Sequence, residues 1–143
     1  PVHPQSVIRL PIENGKLIYP SYDAIATDPF IQKINASGKK WIIITDHNDQ
    51  PQLVLNANAF LRAALTSESQ VDPNPYAHKP ILVHDERTLL GRVIPKLKVK
   101  PERAADDVID DDLILLWASE RRVITGADIL GRLLRGITLR DMD

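Results

Sequence analysis

Thr125 and Asp128, spaced T-x-x-D within "RRVITGADILGRLLRG" (121–136), are the residues whose types and spacing best suit a ligand. An ionised carboxylate accepts from two adjacent hydroxyls at once, and such charge-assisted bonds are short and about twice as strong as neutral ones. A carboxylate one turn into a helix therefore fits the paired hydroxyls of a ribose. The unpaired N–H groups and partial positive charge of a helix N-terminus fit a phosphate. Gly126 lets the backbone come close there, Thr125 adds a hydroxyl, and the strand residues Ile81, Val83 and Ile124 could line an apolar slot for a flat base. The same pair also reads as a helix cap, since Thr at the N-cap with an acid at N3 approximates a capping box. A cap of that kind contributes on the order of 1 kcal/mol with no ligand at all. One residue can serve both roles.

Other chemistry-bearing groups are weaker candidates. "DDVIDDD" (106–112) carries five Asp residues. It lacks the spaced oxygen ligands and the Gly of a calcium loop, so a solvated acidic turn is expected and no metal site. The preceding "GRVIPKLKVKPER" is basic, a charge order that could pair within the chain, between subunits or with an attached protein. His84–Asp85 could suggest a base with its orienting acid, yet no matched nucleophile or metal-ligand spacing accompanies it. There is no phosphate-binding G-x-x-x-x-G-K-[ST] loop and no G-x-G-x-x-G. Cys is absent, which rules out disulfides and thiolate chemistry. With 18 basic against 19 acidic residues the net charge is −1, so no global field points to nucleic acid or membrane. Trp41 and Trp117 are accordingly expected in a core or interface rather than stacked on bases. The longest apolar run, "LILLWA" (113–118), is too short to span a bilayer. No signal peptide is expected, and a start at Pro1 rather than Met is what a piece of a larger protein would show.

The elements that must position Thr125 and Asp128 occur twice. "WIIIT" (41–45), a turn "DHNDQPQ" and "LVLNANAFLRAAL" (53–65) parallel "LILLW" (113–117), a shorter turn "ASER" and "RVITGADILGRLL" (122–134). Setting Val54 on Val123 pairs Asn56 with Thr125 and the apolar Phe60, Leu61, Ala64 and Leu65 with Ile129, Leu130, Leu133 and Leu134. Each set forms one stripe of a short helix. Asn56 and Thr125 are both good N-cap residues, and Gly136 is a natural stop. Upstream, "TDPFIQKINASG" predicts a helix capped by Thr27 with Pro29 in its first turn, and "DERTLLGRVIPKL" predicts another from Asp85. "PILVH" (80–84) reads as a strand, while the first strand of the first copy is expected at Leu17–Tyr19 or near Ile25.

This tandem β-α-β-β-α unit resembles a cystathionine-β-synthase (CBS) domain pair, also called a Bateman module. The residues that carry the resemblance are "VIDDDLILLWASERRVITGADILGRLLRG" (108–136), with the hydrophobic run, Thr, two residues and Asp of the family's closing signature. The first copy departs from it, having Asn56 for the Thr and Ala59 for the Asp. The resemblance implies an α/β fold of two CBS-like repeats packed with pseudo-twofold symmetry. The expected organisation is an extension plus first repeat over 1–65, a polar, Pro-rich linker over 66–79 and a second repeat over 80–143.

It also implies a non-enzymatic regulatory module. AMP, ADP, ATP or S-adenosylmethionine would bind between the repeats at Thr125, Gly126 and Asp128, with Asn56 marking a degenerate second site. The implied partners are a second copy, through helix faces such as Leu130–Leu133–Leu134, and an attached effector. That effector is expected to be a membrane transporter of the magnesium/cobalt efflux type, a chloride channel, or an enzyme, which places the module in the cytoplasm. The alternatives are a ligand-free dimerisation module and, third, an enzyme using His84 and Asp85.

Overall fold

Strand pairing in this chain is set by two β-branched hairpins, each preceded by a strand that joins it in parallel. The computed structural model describes residues 1–23, 25, 27–67, 70–85, 96 and 109–128. These form a mixed α/β fold: β1 (Val7–Arg9), β2 (Ile12–Glu13), β3 (Lys16–Leu17), α1 (Pro29–Ala36), β4 (Trp41–Thr45), β5 (Pro51–Asn56), α2 (Ala57–Thr66), β6 (Ala77–Val83), β7 (Ile109–Trp117) and β8 (Arg121–Thr125). A curled six-stranded sheet has the order β1-β4-β5-β6-β7-β8. β1 runs parallel to β4, which is antiparallel to β5; β6 runs parallel to β7, which is antiparallel to β8. The seam between these two triplets is narrow, with only Val54↔His78 and Leu55↔Ala77 in register across β5 and β6.

Alternation along the strands separates two apolar faces. On the convex face Ile8, Ile42, Ile44 and Leu55 meet Phe30, Ile31 and Ile34 of α1 and Ala57, Phe60 and Ala64 of α2. Further along the same face, Val83, Ile114 and Leu116 gather with Ile81, Ala118 and Ile124. The other face closes on itself. Ile43 and Val54 pack against Leu113, Leu115 and Trp117, with Val7, Trp41 and Val123 around them. Val2 N–H donates to Arg121 O at 2.8 Å, so the segment before edge strand β1 reaches edge strand β8.

Several expectations are corrected. The first strand is Val7–Arg9, not Leu17–Tyr19 or the region of Ile25. Leu17 instead ends a small hairpin whose turn residues, Asn14 (φ 51) and Gly15 (φ 76), both adopt the left-handed conformation that a type I′ turn requires. Asp28, not Thr27, caps α1: its Oδ1 accepts from Asp23 N–H and its Oδ2 from Phe30 and Ile31 N–H. Those bonds, Asp23's foremost, hold its pKa below the usual value against the opposing effect of burial. On α2 the buried stripe is Ala57, Phe60 and Ala64, while Leu65 is 44% exposed. At 100° per residue Leu65 has turned off the face that Phe60 occupies. The strand expected over 80–84 starts at Ala77, and its register shifts between Lys79 and Ile81, where Pro80 supplies no N–H to the ladder. Residues 109–112 of the acidic run lie in β7 rather than in a turn. The helix expected from Asp85, the stop at Gly136 and the face Leu130–Leu133–Leu134 lie outside the described residues.

Among the described residues no helix is long and apolar enough to cross a membrane.

Candidate functional site

The β8 strand delivers Thr125 to the start of a helical turn, Gly126–Asp128. Asp128 N–H donates to Thr125 Oγ1 at 3.2 Å, and Thr125 N–H donates to Asp128 Oδ2 at 2.9 Å. This is a reciprocal capping box, satisfying donors at both ends of the turn. A carboxylate has about four lone-pair positions, so the bond from Thr125 leaves acceptor capacity for a pair of hydroxyls. Gly126 has open space where a Cβ would stand and no left-handed φ. Ile81, Val83 and Ile124 do come together, but as members of the convex cluster with Ile114, Leu116 and Ala118. Val83 is buried and the other two are half-buried.

Asn56 holds the corresponding position on the first hairpin. Its Oδ1 accepts from Ala59 N–H at 3.1 Å, capping α2. Val54 and Val123, two residues before the respective caps, face the same interior cluster. Asn56 also pairs with Trp41 across the β4–β5 ladder, and Ala57 N–H donates to Lys40 O at 2.8 Å. The N-terminus of α2 therefore adjoins the start of β4.

Beside the start of β4 lies a cleft of about 180 Å³, lined by Pro1, Val2, His3 and Ser6 ahead of β1, by Lys39, Lys40 and Trp41, and by Val123 of β8. Lys40 Nζ stands 4.9 Å from the centroid of the Trp41 ring, a cation–π distance. His3 Nδ1 accepts from Gln5 N–H at 3.1 Å, which leaves Nε2 to carry the ring proton. Two lysines, a histidine and a serine thus line the cleft together with a half-buried indole and two valines. The arrangement suits an anion that carries a flat or apolar group. The volume is below the roughly 300–1,000 Å³ of ordinary ligand pockets, so it would take a small group or one end of a larger molecule.

Sequence reasoning missed this cleft because its walls come from three distant segments. The one available signal was "GKKW" at 38–41, paired lysines beside an aromatic at a strand start.

A second groove, of about 230 Å³, runs between Tyr19–Tyr22 and Gln70–Pro73. Tyr22 OH accepts from Val71 N–H at 2.6 Å and donates to Val71 O at 3.0 Å, clasping the two segments. Burial, reinforced by Asp72, pushes the Tyr19 phenol far above its usual pKa, so it stays protonated.

Elsewhere, His84 Nδ1 lies 3.2 Å from Trp117 O, tying β6 to the end of β7. His78 Nδ1 sits 2.7 Å from Asp112 Oδ1 and edge-on to Trp41. Among the described residues no group of three or more His, Asp or Glu could hold a metal ion. Comparison with family models, curated proteins and solved structures found no match to this chain.

Proposed function

We propose that this chain is a regulatory module that binds an adenosine-containing phosphate between two CBS-like repeats and passes the resulting change of angle to an attached effector. The observation that carries the reading is the cationic cleft beside Trp41. Its walls belong to both triplets of the sheet, Lys39–Trp41 to the first and Val123 to the second. A ligand held there contacts both triplets, which meet in a ladder of two residue pairs and in the shared cluster of Ile43, Val54, Leu113, Leu115 and Trp117, so its binding free energy depends on how the triplets are set against each other. That dependence is what a population shift requires. The repeat reading is supported by the twofold use of a parallel strand and a hairpin that ends on a capping residue, Asn56 or Thr125. The carboxylate of Asp128, with Thr125 and Gly126, is the proposed ribose site of the second repeat; Asn56 is the proposed degenerate second site, and Lys39 and Lys40 are the proposed phosphate contacts of the cleft. The proposed effector is a membrane transporter of the magnesium/cobalt efflux type.

A second reading, a ligand-free structural joint, is favoured by the capping box itself, which satisfies Thr125 and Asp128 without a ligand.

Isothermal titration of AMP, ADP, ATP and S-adenosylmethionine into the protein, beside Asp128→Ala and Lys40→Ala, separates the two. Binding weakened by about tenfold in either variant, or 1.4 kcal/mol, supports a nucleotide site at that residue. No binding of any of the four to the unmodified chain supports the joint.

A further inference from the structure

The two hairpin tips meet at one composite contact. Asp49, in the β4–β5 turn, presents its carboxylate to Arg121 of β8, Oδ2 to Nη2 at 2.9 Å. The backbone O of the same Asp49 accepts from Trp117 Nε1–H at 3.0 Å. The Arg121 guanidinium carbon lies over the Trp117 ring, 3.7 Å from its centroid. Asp49 is held for this purpose in a left-handed conformation, φ 59, within a turn that Asp46 organises by accepting from Asn48 and Gln50 N–H. An Asp adopts that conformation more readily than most residues, though at some cost.

The contact does not end at the tips. Arg121 O accepts Val2 N–H at 2.8 Å, and Val2 and Val123 both line the cleft. One residue, Arg121, thus touches the first hairpin through its side chain and the lead-in to β1 through its backbone. An exposed ion pair alone is worth little. Here it is joined to a cation over an indole ring and an indole hydrogen bond, and Trp117 belongs to the cluster with Ile43 and Val54 through which the two triplets meet, so loosening the tips loosens one triplet against the other.

We propose that Asp49, Arg121 and Trp117 form a latch that sets the resting angle between the two triplets and thereby fixes Val2 and Val123 at the cleft. Its regulatory meaning rests on the ligand-binding reading above, but the latch itself is testable without a ligand. Asp49→Asn removes the charge while keeping a residue that tolerates φ above zero and the backbone O that Trp117 uses.

The measurement is residue-resolved amide and indole hydrogen exchange by NMR. The latch predicts exchange faster by about fivefold or more at the Trp117 indole and at Val2 in Asp49→Asn, with Ile31 and Ile34 of α1 unchanged within about twofold. Arg121→Gln gives the same pattern, and so does 1 M salt on the unmodified protein, where the Debye length is about 3 Å. Unchanged exchange at Val2, or equal acceleration at Val2 and in α1, overturns the proposal. Titration of AMP into Asp49→Asn then reports on regulation: a Kd shifted by about tenfold ties latch to ligand. If AMP fails to bind the unmodified chain, only the nucleotide reading falls, and the exchange pattern still decides the latch.

Discussion

Thr125 and Asp128 hold each other across the first turn after β8, each backbone N–H donating to the other's side-chain oxygen, at 2.9 and 3.2 Å. The reciprocity makes their energies interdependent. Thr125→Ala and Asp128→Ala should each cost about 1 kcal/mol of stability, and the double variant less than the sum. Urea denaturation of the four proteins in the cycle checks this. Full additivity would mean the box does not act as a unit.

Lys39 and Lys40 border the cleft beside Trp41 with exposed side chains, so their removal should leave the fold intact. Lys39→Ala and Lys40→Ala are expected to change stability by less than about 0.5 kcal/mol, the usual range for surface substitutions. Together they should abolish the salt dependence of AMP binding. Persistent salt dependence in the double variant would place the anion elsewhere.

The contrast between these two places shows what the sequence discloses. The hairpins, α2 and both caps, Asn56 and Thr125, were legible because they rest on local rules: β-branched runs, a turn, and a side chain that reaches a neighbouring N–H. Asn14–Gly15 is equally local, an Asn-Gly turn that puts Leu17 in a small hairpin, whereas the first strand is expected at Leu17–Tyr19 or near Ile25. β1 offered little pattern, being three residues between prolines at 4 and 11, and it is a strand because β4 pairs with it. The cleft and the Asp49–Arg121 contact join residues far apart in the chain, which no local rule reports. Asp112 had read as part of a solvated turn, and its bond to His78 depends on the β6–β7 pairing.

Phe60 anchors the convex core. It is fully buried and packs ring to ring with Tyr22, Phe30 and Tyr76 at 5.7 to 6.3 Å. Phe60→Ala should cost about 3–5 kcal/mol, a large share of the stability of an ordinary domain. Thermal unfolding followed by circular dichroism reads this directly. A loss below about 1 kcal/mol would contradict the close packing of α1 and α2 on this face.

Asp28 links stability to acid pH. Hydrogen bonds from Asp23, Ile31 and Phe30 lower its folded-state pKa below the ordinary 3.8. The unfolded chain therefore binds its proton more readily, and the contribution of this carboxylate is fully present above the unfolded value. It declines as pH falls through the folded value. Asp28→Asn should lower stability at neutral pH and flatten the fall of stability below pH 4, measured by denaturant midpoints across pH 2–6. An unchanged acid limb would show that the carboxylate contributes no such linkage.

Thr45 ends β4 fully buried, and its Oγ1 is shut off from water with no hydrogen-bond partner among the described residues. Its backbone is well used, because Thr45 O accepts Leu10 N–H at 2.9 Å. An unsatisfied buried hydroxyl carries a desolvation cost of about 1–3 kcal/mol. Val has the same branched shape, favours a strand equally and carries no polar atom. Thr45→Val should therefore stabilise the protein by about 1 kcal/mol, raising the urea midpoint at constant m-value. The bond to Leu10 would survive, since the side chain takes no part in it. Were the midpoint to fall instead, the hydroxyl would have a partner in solution, and an ordered water in the turn towards Asp46 would be the group to look for.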